Sequence, residues 1–530
     1  MSANAGDPVP PLDGSAAEPS VPNAVARPGR PTLLSIAGAV ILAAVCLAAI
    51  VFLPPIVAGG VLLLVSALYV FRILVFRWTS MLLLLCAVIM FIPIRRYELP
   101  IPLSFALEPY RVAIGLLILA VALAVNLSPA FRWRRVAFGW AFAIFLATQA
   151  FSIVANGPSL VEGHLDASAM SNLIQLIFLS SVFFIVRQLL TSERVVQLFL
   201  VFITWAGVIV GFFAIIERFV HVNVFLLLGH VLPLTLINDT SGASLRAGAN
   251  RSFGSAQHPI ALSVALGMII PIALYLAAHG TRPRNSISRR ILYATGIALM
   301  LGGILCTVSR TGIVMLGIMF LVALILRPRL GAVLFAFTFP IAVLVGLVVP
   351  KLVNSTIGTL FNINTLIASQ FSNPGYRGQG RLADLGPAFA TFVQTPFFGS
   401  GIGSRVVVGP VANSNILDNQ WLGTLLDAGA LGVIGLAVFL LIPIIRLIVF
   451  AFRTRLGDKY ASLALAVSIS VIGYAVAMFF YDAFSFMQTF LILMMLLAVG
   501  AWLLTEAGAN QDSETPASAS DAQPASAVSP

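Results

Sequence analysis

The stretch QLFLVFITWAGVIVGFFAII, residues 197–216, contains no charged side chain. A helix needs about 20 mainly apolar residues to cross the hydrocarbon core of a bilayer. Similar apolar runs occur along most of the chain. The sequence therefore predicts an all-α fold, a polytopic transmembrane helical bundle of about 14 spans, with 12 as the lower bound. The spans are expected near residues 33–53, 55–71, 79–94, 109–126, 137–155, 171–190, 197–216, 259–278, 291–307, 313–326, 331–350, 431–451, 461–480 and 486–505.

The composition supports this class. Of the 530 residues, 59% are hydrophobic and only 9% are charged, where soluble proteins have about 25% charged residues. The mean hydropathy is +1.02. These values exclude a soluble enzyme, a secreted domain and a single-span receptor.

The chain divides into five segments by composition. Residues 1–32 and 507–530 are rich in Pro, Ala and Ser and predict disordered cytoplasmic tails. Residues 33–350 form a transmembrane bundle of about 11 spans, and residues 431–506 form the C-terminal transmembrane helices. Between them, residues 351–430 predict a large extracytoplasmic loop, and loops of that length are usually functional.

The net charge of +11 reports membrane topology. Lys and Arg concentrate in cytoplasmic loops, and 19 of the 30 basic residues fall in alternate loops and at the N-terminus when both termini are cytoplasmic. The sequence thus predicts a multi-pass protein of the plasma (inner) membrane, in contact with membrane lipids and not with nucleic acid. The three cysteines are scattered, so neither a disulfide framework nor a metal site is expected.

Several arginines lie on the outer side, against the positive-inside tendency. Guanidinium groups form planar forks that suit phosphate oxygens, and glycines near some of them let backbone N–H groups approach an anion. A lipid-linked pyrophosphate is the expected ligand. For Arg310, in CTVSRTG, the alternative is a flank that reaches lipid headgroups. The outer arginines are Arg246, Arg251, Arg310, Arg377, Arg381 and Arg405.

Other polar candidates lie at the starts of predicted helices. His258 precedes Pro259 in RSFGSAQHP, where a helix-end hydrogen bond is the alternative to catalysis. Asp418 and Asn419 open the helix DNQWLGTLLDAGALG, so Asp418 either caps that helix or activates a sugar hydroxyl. Asp427, in the same stretch, is a weaker candidate, as is Asp482 in YDAFSF. The glycines of GSGIGS, residues 399–404, favour a flexible turn over a nucleotide loop.

Four motifs of this chain, in their order along the sequence, resemble those of the O-antigen ligase and polymerase superfamily. The motifs are RSFGSAQHP, SRTG, GRLADLGPAFATFVQTPFFGSGIGS and DNQWLGTLLDAGALG, and they cover roughly residues 245–440. The resemblance implies a bacterial inner-membrane enzyme that transfers glycans from undecaprenyl pyrophosphate at the outer face, without a metal, a nucleotide sugar or another cofactor.

The resemblance also implies roles for individual residues. Arg251, Arg310 and Arg381 match the family's arginines, and Asp427 matches its acidic-x-Gly element. Ligases typically have His-Asn where this chain has Asp418 and Asn419, which favours a polymerase over a ligase. The expected catalytic residues are Asp418, Arg310, Arg381 and His258, and the expected substrate-binding residues are Arg251, Arg377, Arg405, Asn419 and Asp427.

Two other functions are also compatible with a protein that has many membrane spans and charged residues on its outer side. A lipid-linked oligosaccharide flippase, or another polysaccharide transporter, should show two related halves and charged groups within its spans, and neither is evident. A structural component of an export complex is the second alternative. For an enzyme, the expected partners are the undecaprenyl-pyrophosphate-linked glycan, a chain-length regulator and a flippase.

Overall fold

The computed structural model describes residues 77–101, 106–127, 131–238, 251–328, 385–405, 418–454 and 458–507, the backbone at 245–246 and 249–250, and single positions elsewhere. Within these residues the protein is helical. The helices are α1 Trp78–Phe91, α2 Pro109–Leu127, α3 Gly139–Ala155, α4 Gly157–Glu162, α5 Asp166–Leu189, α6 Glu193–Val220, α7 Pro259–His279, α8 Ser286–Cys306, α9 Arg310–Leu326, α10 Leu385–Gln394, α11 Gln420–Arg453, α12 Asp458–Ala477 and α13 Met487–Trp502.

Eight of the described helices are long and apolar enough to cross a membrane: α2, α5, α6, α7, α8, α11, α12 and α13. Three shorter apolar helices, α1, α3 and α9, coincide with further predicted spans. The predicted spans 33–53, 55–71 and 331–350 fall almost wholly outside the described residues. The all-helical class is confirmed, and the count of about 14 stays a prediction.

Local sequence explains where several helices begin. The side chains of Ser192 and Asn285 accept hydrogen bonds from the backbone N–H groups of Val195 and Ile287, which caps α6 and α8. Pro259 occupies the first turn of α7, where its missing N–H costs nothing. The run 224–236, too short to span, forms a 3-10 helix, Val224–His230, and strand β2, Thr235–Leu236.

Strands are short. Strand β1, Tyr97–Glu98, pairs antiparallel with β2, with Tyr97 opposite Leu236. Strands β3, Leu245–Arg246, and β4, Ala249–Asn250, form a second antiparallel pair. Both pairs lie in connections between helices, where they anchor the chain without adding a layer to the bundle.

Helices α7 and α13 form the centre of the bundle. Nearly every side chain of both helices is buried, so each is surrounded by other helices and not by lipid. Aromatic rings fill the neighbouring space, with the centroids of Phe142 and Phe183 4.1 Å apart and those of Phe142 and Phe439 4.8 Å apart.

Helix α11 is kinked at Gly429. This residue has φ 66° and ψ −164°, a backbone conformation that is essentially restricted to glycine. A Cβ at this position would lie 2.3 Å from the backbone carbon of Phe397, so glycine is also needed for the close approach of the preceding segment. The kink lies next to residue 430, where the sequence predicted the large loop to end.

Ion pairs connect helix ends at the end of the bundle that the sequence predicts to be cytoplasmic. Glu506 lies 2.5 Å from Arg134 Nη1 and 3.1 Å from Arg187 Nη2. Glu193, at the start of α6, binds Lys459 and Tyr460 at the start of α12. These contacts engage the acidic groups Glu506 and Glu193 at that end. Of the residues selected from the sequence, those that the structure describes lie at the other end.

Candidate functional site

We call the opposite end of the bundle, formed by the starts of α7, α9, α11 and α13, the site end. Here Arg251 lies against the turn that joins α8 to α9. Its Nε donates to the carbonyl of Thr307 at 3.0 Å, and the N–H of Ser252 donates to Cys306 O at 3.1 Å. Arg310 is the first residue of α9. The structure thus brings Arg251 to the three-residue turn that precedes Arg310, although 59 positions separate them in sequence.

The segment 251–258 is held in place by buried polar contacts. The carboxylate of Glu217 accepts the backbone N–H groups of Phe253 at 3.3 Å and Gly254 at 2.8 Å. Ser255 Oγ donates to Met90 O at 2.6 Å. These bonds hold the backbone of the segment from two sides, so the main chain that carries Arg251 is fixed in position.

Arg96 is a further buried cation in this region. Its guanidinium lies 4.5 Å from the ring centroid of Phe253 and donates to Gln257 O at 3.1 Å. The side chain is 5% exposed. Arg96 was not among the residues selected from the sequence, although it too is a basic residue on the predicted outer side, the feature that selected Arg251.

His258 is the N-cap of α7. Its Nδ1 accepts the N–H of Ile260 at 3.2 Å, so in the neutral ring the proton is on Nε2. The helix-end hydrogen bond anticipated from the sequence is therefore present. The ring centroid lies 5.6 Å from that of Phe486, which places His258 beside the turn between α12 and α13.

The start of α11 is attached to the same turn. The N–H of Gln420 lies 2.8 Å from Met478 O and 3.1 Å from Tyr481 O, and Gln420 Oε1 accepts from Phe484 N at 2.9 Å. The side chain of Asn419 caps the helix by accepting the N–H of Leu422 at 3.1 Å. Asn419 therefore supplies the cap contact considered for Asp418, which lies one residue earlier.

Arg405 and Asp427 form a two-point ion pair. Arg405 Nε lies 2.6 Å from Asp427 Oδ1, and Nη2 lies 3.0 Å from Oδ2. The two side chains are 16% and 15% exposed. The pair connects the glycine turn 399–404 to α11, so these two residues, both predicted to bind substrate, are in contact with each other.

Backbone bonds reinforce this connection. Ser400 N donates to Leu426 O, and Gly401 N donates to Asp427 O, both at 2.9 Å. Ser152 Oγ lies 2.7 Å from Phe398 O and 2.6 Å from Asp427 O. The stretch GSGIGS is therefore a turn, as the sequence favoured, but it is packed against α3 and α11 and not the flexible turn that was expected.

Asp482 lies in the turn between α12 and α13, next to the ion pair. Burial raises the pKa of its carboxyl, against the lowering effects of a hydrogen bond from Ser485 and of the charge of Arg405, while the charge of Asp427 raises it further. Ser485 Oγ lies 2.5 Å from Asp482 Oδ2. Asp482 was a weak candidate in the sequence because no other charged residue is close to it in the chain, and the charges that act on it belong to the distant Arg405 and Asp427.

Taken together, the described part of the site end has two connected groups. Arg251 and Arg310 belong to the first, at the α8–α9 turn. The second is the pair Arg405–Asp427. Asp418 directly precedes the N-cap of α11, the helix that carries Asp427, and His258 contacts Phe486 in the turn between α12 and α13. Arg377 and Arg381 lie outside the described residues. Within those residues, no three His, Cys, Asp or Glu side chains are grouped so as to hold a metal ion.

Comparison with known protein families identifies the central segment. Residues 295–440 match the O-antigen ligase family. This O-antigen ligase segment runs from α8 into α11 and includes Arg310, Arg405, Asp418 and Asp427, so the resemblance drawn from the motifs is confirmed there. A search of curated proteins finds no match. The chain is thus a multi-pass membrane protein with an O-antigen ligase segment, a family that implies ligation or polymerisation of polysaccharide.

The structure relates residues outside the matched segment to those within it. Arg251 precedes residue 295, yet it contacts Thr307. Asp482 follows residue 440, yet the charges of Arg405 and Asp427 act on it. The site end is therefore built from the O-antigen ligase segment and from helices on both sides of it in sequence.

Proposed function

We propose that the protein is a metal-independent membrane glycosyltransferase that transfers or polymerises undecaprenyl-pyrophosphate-linked oligosaccharide units at the outer face of the plasma membrane. The product belongs to a surface polysaccharide, either exopolysaccharide or lipopolysaccharide. One observation supports this most strongly. The hydrogen bond from Arg251 to Thr307 brings a second arginine to the turn that precedes Arg310 of the O-antigen ligase segment.

The proposed reaction is a displacement at the anomeric carbon. An acceptor hydroxyl forms the new glycosidic bond and loses its proton to a base, while the bond to the pyrophosphate oxygen breaks and undecaprenyl pyrophosphate leaves. Negative charge accumulates on the leaving group, and fixed cations near it stabilise the transition state. Arg251 and Arg310 supply such charge, and we extend this role to Arg377 and Arg381.

Asp418 is the proposed base, with His258 as the alternative. Asp418 directly precedes the capped start of α11, and Asn419 is occupied by its capping bond. A carboxylate in place of the histidine typical of ligases favours polymerisation of repeat units. Arg405 and Asp427 position the glycine turn against α11 through their ion pair.

The expected surroundings of the enzyme follow from this reaction. Both termini are cytoplasmic, so the site end faces outward. The substrate has to be delivered across the membrane by a flippase, and a chain-length regulator is a further expected partner. Undecaprenyl-pyrophosphate-linked glycan and bilayer lipids are the molecules that the protein itself contacts.

The test is a transfer assay with purified protein in proteoliposomes. Lipid-linked oligosaccharide is added, and products are separated by gel electrophoresis. A ladder of longer glycans indicates a polymerase, and transfer to a different acceptor indicates a ligase. Translocation of the substrate without any covalent change indicates a flippase and contradicts the proposal.

A pair of matched variants tests the role of Arg310 in the reaction. We expect Arg310→Ala to abolish product formation while the protein remains in the membrane. Arg327→Ala is the control, because Arg327 follows the other end of the same helix and pairs with the exposed Asp458. Equal product from wild type and Arg310→Ala would remove Arg310 from the mechanism.

A further inference from the structure

Helix α10 exposes an apolar stripe at the site end. The helix, LGPAFATFVQ, contains no charged residue. Its side chains at every fourth position are exposed, with fractions of 36% for Leu385, 51% for Phe389 and 73% for Val393, and Phe397 continues the series at 66%. We call these four residues the α10 stripe.

The adjoining face of α10 is fixed against the bundle. Ala388 is fully buried and packs with Leu422 and Leu426 of α11, with Phe392 at the edge of the same cluster. The helix is therefore held in position by apolar contacts on one side, while the α10 stripe points away from the protein.

The stripe is continuous with the lipid-facing surface of the spans. Leu431 N, in α11, donates to Phe397 O at 3.3 Å, and Ser152 Oγ, in α3, lies 2.7 Å from Phe398 O. Close to these contacts, Val154 of α3 is 76% exposed and Ile434 of α11 is 55% exposed. In a membrane protein, such large apolar side chains on the outside of spanning helices contact lipid.

We propose that α10 lies in the plane of the membrane and that the acyl chains of bilayer lipids cover the α10 stripe. An uncharged helix with one apolar edge, attached to spanning helices by its neighbouring face, is suited to the boundary between headgroups and acyl chains. The remaining exposed face, formed by Gly386, Ala390 and Gln394, faces the headgroups.

This placement fixes the depth of the candidate site. Helix α10 packs on α11 between Asp418 and Asp427, so its depth sets that of both carboxylates. The site would then lie at headgroup level, where the charged head of a lipid-borne substrate resides. The position of α10 does not itself depend on the proposed glycosyl transfer.

Spin labels on α10 test the proposal directly. In a variant whose natural cysteines are replaced by alanine, Phe389→Cys and Gln394→Cys receive a nitroxide label, with Ile434→Cys as the lipid-facing reference. Positions 389 and 394 are about 140° apart around the helix. The protein is reconstituted in vesicles of phosphatidylethanolamine and phosphatidylglycerol, and collisions with oxygen and with a water-soluble nickel chelate are measured.

We expect the ratio of oxygen to nickel collisions at position 389 to equal that at 434 and to exceed that at 394 severalfold. A ratio at 389 equal to that at 394 would place the stripe in water and overturn the proposal. An immobile label at 389, shielded from both reagents, would show a protein cover, either a partner or a second copy, and would overturn it equally. Val393→Cys repeats the test at a second stripe position.

Discussion

The ion pair between Arg405 and Asp427 should make a large contribution to stability. It consists of two charge-assisted hydrogen bonds at 2.6 and 3.0 Å, each worth about 1.5–3 kcal/mol. Because both side chains retain some exposure, 16% and 15%, we take the lower values and expect a coupling free energy of about 3 kcal/mol.

A double-mutant cycle measures this coupling. The free energy of unfolding is determined in mixed detergent micelles for wild type, Arg405→Ala, Asp427→Ala and the double variant. Each single substitution should cost about 3 kcal/mol or more, since it leaves a charge without its main partner. The double variant should lose much less than the sum of the two.

The exposed pair Arg327–Asp458 provides the matched control. Its side chains are 39% and 62% exposed at a separation of 3.1 Å, and such surface pairs contribute about 0–1 kcal/mol. If the coupling between Arg405 and Asp427 is no larger than that of the control, the glycine turn is not held to α11 by this pair.

Three further predictions concern the site end. Gly429→Ala should lower the free energy of unfolding by at least about 3 kcal/mol, because alanine is strained at φ 66° and ψ −164° and its Cβ would clash with the backbone of Phe397. The control Gly317→Ala has nothing within 4 Å of its Cβ and should be neutral or stabilising in the same unfolding assay. Asn419→Ala should cost about 1 kcal/mol through loss of the α11 cap, while a loss below a few tenths would show that the cap is dispensable. Because the pKa of Asp482 is raised in the folded protein, its contribution to stability should fall as pH rises from its unfolded pKa of about 4 through the folded pKa, and Asp482→Asn should remove this fall. An identical pH dependence of unfolding in the variant would contradict that assignment.

The helices were predictable because each is decided by local sequence. The uncharged run 197–216 lies within α6, and Pro259 marks the first turn of α7. Apolar length, capping residues and the placement of proline act over a few neighbouring positions.

The site was only partly predictable because its contacts join distant positions. Arg405 and Asp427 were both selected from the sequence, but as separate substrate ligands, since nothing local showed that they pair across 22 positions. Arg96 and Asp482 depend on neighbours still further away. Their importance follows from how the helices pack, which hydropathy does not specify.

The central claim is that glycosyl transfer takes place at the outer face of the membrane. It is tested most directly by measuring which side of the membrane the site end faces. In a variant whose natural cysteines are replaced by alanine, Ser159→Cys places a thiol between α3 and α5 at the site end, and Ser286→Cys places one at the opposite end, at the start of α8; both positions are exposed. We expect a membrane-impermeant maleimide to label position 159 in cells with a permeabilised outer membrane, and position 286 only after lysis. Labelling of 286 before lysis and protection of 159 would turn the site toward the cytoplasm and contradict transfer at the outer face.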